Sequence, residues 1–151
     1  LAVKITKSRF VYSPFTNDAM LRIGTALRNS IVERMGRGEN VNDQAAKPLK
    51  GVTKDKYEPY ATQKTNKGLQ GIRDLIYSGR TAKAIQVTRV NQNGGIISAN
   101  NPVADRILSK NNRIEKMFGV SPKDREALYQ AVNEELKRNR LYRVETSTTE
   151  N

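Results

Sequence analysis

Apolar positions recur in two rhythms along this chain, and the switches between them mark out its elements. Met20, Ile23, Leu27, Ile31 and Met35 are spaced three and four apart, the stripe of an amphipathic helix. Thr16 or Asn17 can cap that helix, Asp18 suits its first turn, and Gly36 is a natural stop. Arg22, Arg28, Glu33 and Arg34 fall mostly off the stripe. Over Ala84–Val90 the period shortens to two, with Ile85 and Val87 on one face and Gln86 and Thr88 on the other. Asn93-Gly94 supplies the left-handed positions of a tight hairpin turn, and Gly95–Ala99 returns as the second strand. Helical spacing resumes in Leu69, Ile72, Leu75 and Ile76 before the hairpin, predicting a short helix over Gly68–Tyr77. After the hairpin, Val103, Ile107 and Leu108 predict two turns bounded by Asn101-Pro102 and by Asn111-Asn112. Ser121 as N-cap, Pro122 at the first helical position and Asp124 facing the helix N-terminus then open a last helix. Its stripe is Leu128, Val132 and Leu136, with Ala127 and Ala131 beside them, and it is expected to end near Asn139.

Two helices with apolar stripes need a surface to cover, and a sheet built on the hairpin supplies one. The fold class is therefore α+β: a small antiparallel sheet centred on a β-hairpin, packed against two amphipathic helices. Its expected core is Ile23, Leu27, Ile31, Leu75, Ile85, Val87, Leu128, Val132 and Leu136. Residues 1–15 read as an extended arm, 16–143 as one domain, and 144–151 as a disordered polar tail. Within the domain, residues 36–67 hold Gly36, Gly38, Pro48, Gly51 and Pro59, with apolar residues too sparse to set a period. Loops of that length are uncommon unless they serve a function or are disordered, so this one is expected to dock on a partner through Leu49, Tyr57 and Tyr60.

Composition narrows the chemistry. The 151 residues contain neither Cys nor His, which excludes disulfides, thiolate nucleophiles, Ser-His devices and most zinc sites. No cofactor is expected. No apolar run approaches the roughly 18 residues of a membrane helix, no signal-peptide pattern opens the chain, and no membrane partner is expected. The net charge of +12 implies acidic neighbours. It is spread evenly: residues 1–67 carry 13 Lys and Arg against 6 acids, and residues 68–151 carry 14 against 9. A dedicated nucleic-acid arm would be a block.

Candidate constellations resolve towards surface charge. Glu134 and Glu135 are adjacent, so they do not face each other on a helix, and both are expected on its solvated side. Gly68-Leu69-Gln70-Gly71 lacks the Lys-Ser/Thr of a phosphate loop, and Ser78-Gly79-Arg80 lacks a His base. No catalytic residue is therefore assigned. Arg73, Arg80, Lys83 and Arg89 gather about the hairpin, and Lys110 and Arg113, with Lys116, precede the last helix. They suit either acidic faces of neighbouring subunits or phosphates. Aromatic content of 6%, with no aromatic in the hairpin, and the lack of a helix-turn-helix or RNA-recognition motif favour protein assembly.

From Pro48 to Lys137 the sequence resembles the phage virion morphogenesis or tail-completion proteins, relatives of the head–tail connector and neck proteins of tailed phages. The resemblance rests on Pro48-Leu49, Tyr57, Lys64 and Gly68, on Asp74-Leu75 through Ser78-Gly79-Arg80, and on the Ile85-Gln86-Val87 strand. Phe118-Gly119-Val120-Ser121-Pro122-Lys123-Asp124 matches the aromatic-Gly-hydrophobic-Ser-x-x-Asp lead into the family's final helix. The chain departs from the pattern in having Asn101-Pro102-Val103-Ala104-Asp105 in place of a His-containing turn, and Glu115-Lys116-Met117 in place of a Pro-Arg. The resemblance implies a non-enzymatic virion protein, forming a ring of six copies that completes the tail tube and joins it to the connector. Its partners would be its own copies, neighbouring neck and tail-tube proteins, and DNA in the channel. The alternative is a basic nucleic-acid-binding protein of a packaging or ribosome-associated kind.

Overall fold

In the computed structural model, which describes residues 15–47 and 79–148 and side chains as far as 138, the first helix begins where the sequence marks it. Thr16 Oγ1 accepts the Ala19 amide at 3.1 Å, opening helix α1 over Asn17–Gly36. A one-turn helix α2 (Arg80–Ala84) leads straight into strand β1 (Ile85–Asn91), which pairs antiparallel with β2 (Gly94–Ala99). Helix α3 (Pro102–Ile114) and helix α4 (Pro122–Thr148) complete the order, giving the α+β architecture. The hairpin lies against α1, and Gly24 makes that approach close: a Cβ there would stand 3.2 Å from the Val87 side chain. Helix α4 runs antiparallel to α1, since Arg34 meets Asp124 at one end of the pair and Arg22 meets Glu135 at the other.

Ile31, Met35, Ile85, Leu108 and Met117 form the buried core, with Leu27, Val32, Ala46, Ile97, Ala99 and Phe118 packed round it. Ile23 is also buried, while Val87, Leu128 and Val132 are half-buried. Leu136 departs from its expected core place and is 41% exposed. Its neighbour Glu135 takes the position facing α1, and a residue one step along a helix points about 100° away. Leu49, Tyr57, Tyr60, Arg73 and Leu75, residues 1–14 of the expected arm over 1–15, and the expected helix over Gly68–Tyr77 lie outside the described residues.

The buried centre between α1 and α4 is ionic. Arg34, expected off the apolar stripe, is 1% exposed. Its Nε donates to Asp124 Oδ2 at 2.9 Å, and its Nη1 and Nη2 donate to the carbonyls of Glu39 and Gly119, each at 2.8 Å. Asp124 is equally well provided: Oδ1 accepts the Ser30 hydroxyl, and Oδ2 also accepts the Ser121 amide. Ser121 Oγ accepts the Asp124 amide in return, a reciprocal cap on α4. One guanidinium thus ties the end of α1, the turn after it and the start of α4 together.

That turn is the described part of the expected docking loop over 36–67, and residues 48–67 lie outside the described residues. Residues 37–47 fold back on themselves, with a bridge between Glu39 and Ala45, and join the body. Asn40 organises them: Oδ1 accepts the amides of Asn42 and Gln44, and Nδ2 donates to Glu115 Oε1. Glu115 Oε2 accepts the Lys47 amide, Val41 donates to the Lys116 carbonyl, and Asp43 Oδ2 accepts the Lys123 amide. Asn40→Ala removes all three part-buried hydrogen bonds and is expected to lower stability by about 1–2 kcal/mol in urea denaturation, whereas a solvated loop residue would change it negligibly.

Three further differences are local. Neither Asn93 nor Gly94 has a positive φ; the hairpin turn is instead held by Asn91 Oδ1, which accepts the amides of Asn93 and Gly94. The register slips between Val87 and Arg89, leaving Thr88 as a bulge that turns Val90 inward in place of Arg89. Helix α3 continues through Asn111-Asn112, because Asn111 Nδ2 bonds back to the Ile107 carbonyl and Asn112 Oδ1 accepts the Met117 and Phe118 amides. Val103, expected on the inner line of α3, is 67% exposed; Leu108 is buried as expected, and Ala104 joins it in place of Val103. Helix α4 likewise runs to Thr148, past the expected stop near Asn139 and into the expected tail, and no Gly or Pro follows Pro122 to break it.

Candidate interaction surfaces

Half of the described acidic side chains are drawn inward, while Asp18, Glu33, Asp105, Glu126 and Glu134 stay exposed. Asp124 and Glu135 are buried, Glu115 bonds Asn40 and the Lys47 amide, and Asp43 bonds the Lys123 amide. Glu135, expected on the solvated face of α4, is 5% exposed and takes a two-pronged contact from Arg22, with Nε–Oε1 at 2.6 Å and Nη2–Oε2 at 2.9 Å. The Arg22 hydrogen bond holds the Glu135 carboxyl below its ordinary value of 4.5, and Arg37 does the same for Glu39 on the surface. A lowered folded-state pKa means that the unfolded chain binds more protons in the window below 4.5. The contribution is fully present above that value and is lost as pH falls through the folded pKa. Glu135→Gln is therefore expected to flatten the fall in denaturation midpoint on acidification; wild-type and variant curves of equal slope would contradict this.

Apart from Arg28 and Arg34, the described cations face solvent. Arg80 and Lys83 lie on α2, Arg89 near the hairpin tip, and Lys110 and Arg113 on α3, all exposed. They do not form one site. Arg80 lines a shallow cleft with Thr81, Asn101, Val103, Ala104 and Ile107, whereas Arg89 lines a separate groove with Asn91, Asn93 and Ile96. Lys116 sits beyond the end of α3. Lys110 and Arg113 do belong together, and Arg106 joins them at the i, i+4, i+7 positions of one helix face. Reading Asn111-Asn112 as a helix break hid this alignment; the spacing of the three cations is the signal that shows it.

Among the described residues no group of His, Cys, Asp and Glu is placed to hold a metal ion, and no helix is long and apolar enough to cross a membrane. Arg28 is also structural: its Nε donates to the Ile85 carbonyl and its Nη2 to that of Ala82, fastening α1 to the α2–β1 junction. No family model, curated protein or solved structure matches the chain.

Proposed function

We propose that this protein is a non-enzymatic structural subunit of the head–tail junction of a tailed phage, assembling as a ring that completes the tail tube and joins it to the connector. The observation that carries the reading is the Phe118–Asp124 segment, whose resemblance to the family's lead into its last helix coincides with the buried knot of Ser121, Asp124 and Arg34. A motif that fixes the body of the subunit is one that a shared fold requires. The surface supports it too: exposed apolar side chains stand on separate elements, Leu21 on α1, Ile96 on β2, Val120 before α4, and Tyr129 and Leu136 on α4. Ring closure uses two different patches on each subunit, not one repeated patch. The basic exterior suits acidic neighbours of the same assembly.

The test is to mix the purified protein with tail tubes and image the tube ends. Tubes capped by rings of density support the junction reading. Bare tubes, with the protein still folded, would overturn it.

A further inference from the structure

The outer face of α3 differs in charge from the described face of α4. Its inner line is Ala104 and Leu108, and Arg106, Lys110 and Arg113 lie on the opposite side, within an arc of about 60° at 100° per residue. All three are exposed and make no ion pair among the described residues. The exposed side chains of α4 mix signs, with Lys123, Arg125, Glu126, Glu134 and Lys137. On α3 the one acid is Asp105, at the edge of the first turn. Glu115, next after the helix, is engaged by Asn40 and the Lys47 amide.

We propose that this face of α3 binds the phosphate backbone of duplex nucleic acid without reading its sequence. The inference stands on the charge pattern and does not depend on the junction reading. At 1.5 Å rise per residue the three cations span about 10.5 Å, a reach long enough to meet neighbouring phosphates of a duplex backbone, with each side chain available for one contact. No aromatic lies on α3, which disfavours the stacking used for single strands. Ala104 and Leu108 turn the main apolar side of α3 to the core, and Val103 and Ile114, which share a line beside the cations, stand about 16 Å apart with half-buried Ile107 between them, too sparse a strip to sink into a lipid surface. The middle of the stripe has no apolar centre of the kind that anchors a protein partner.

Binding of the full-length protein to a duplex of roughly 20 base pairs is to be measured across salt concentrations. Three contacts contribute about −2.7 to the slope of log affinity on log salt, or about a 40-fold loss between 50 and 200 mM. The triple variant Arg106→Gln, Lys110→Gln, Arg113→Gln is expected to lose that part of the slope with an unchanged melting temperature. A control triple on α4, Lys123→Gln, Arg125→Gln, Lys137→Gln, removes the same net charge and is expected to keep it. Equal losses from both triples would show that net charge alone attracts the duplex and would overturn the proposal. So would the absence of duplex binding, or a preference for vesicles of anionic lipid or for an acidic polypeptide that the α3 triple abolishes.

Discussion

Arg34→Met is expected to destabilise the protein by about 3–5 kcal/mol, the largest effect of any single side-chain change considered. The loss is dominated by what remains behind. Asp124 is 0% exposed, so its carboxylate would stay buried beside Ser30 and Ser121 without a cation, and the carbonyls of Glu39 and Gly119 would lose their donor. Domains of this size have a total stability of about 5–15 kcal/mol, so a substantial unfolded population is expected at physiological temperature. Replacing both partners, as Arg34→Met with Asp124→Leu, is expected to cost much less than the sum of the two single changes, because no buried charge is then unpaired. Urea denaturation of the four species gives the coupling. Additive losses would mean that the two side chains stabilise the fold separately.

Met117→Ala is expected to cost about 2–5 kcal/mol. Met117 is 0% exposed and lies in the core with Ile31, Met35, Ile85 and Leu108, where it joins the segment between α3 and α4 to α1 and the hairpin. Its amide is fixed by Asn112 Oδ1 at 3.0 Å, so the backbone does not readily shift to fill the space left by truncation. Met117→Leu, which conserves most of the volume, is expected to cost less than about 1.5 kcal/mol. Equal midpoints for the Ala and Leu variants would show that the side chain is not a core element.

These two residues show where the sequence was legible and where it was not. Short-range patterns carried through: Thr16 and Ser121 cap the helices they precede, Ile85 points inward, and Ile23 and Ile31 lie on the buried stripe. Each of those signals is written within a few residues, in spacing or in capping chemistry. Arg34, Asp124 and Glu135 were misplaced or underread because burial of a charge is decided by a partner some ninety to a hundred and ten residues away. Periodicity treats every charge as solvated. Asn40 and Asn112 failed in the same way, since an Asn in a polar stretch looks like a loop whether its amide faces water or bridges two segments. The interaction surface was half legible. Lys110 and Arg113 were visible as a cluster, but their alignment with Arg106 required the helix to continue past Asn111.

The body engages half of its described acids internally, Asp124, Glu135, Glu115 and Asp43 among them, but few of its cations, and so presents a more positive exterior than an even scatter of the same charges would. On that body the junction reading assigns assembly to several unlike patches, and the α3 face is proposed to add a polyanion contact of its own.

The central claim is assembly, and the most direct measurement is the mass of the purified protein in solution across concentration, with particle imaging of the same sample. A ring of six copies has a mass of about 102 kDa, six times the 17.0 kDa chain, and images as an annulus. That species, alone or on tube ends, is the result the account predicts. A particle that stays at the mass of one chain at every concentration, and with tail tubes present, would contradict it.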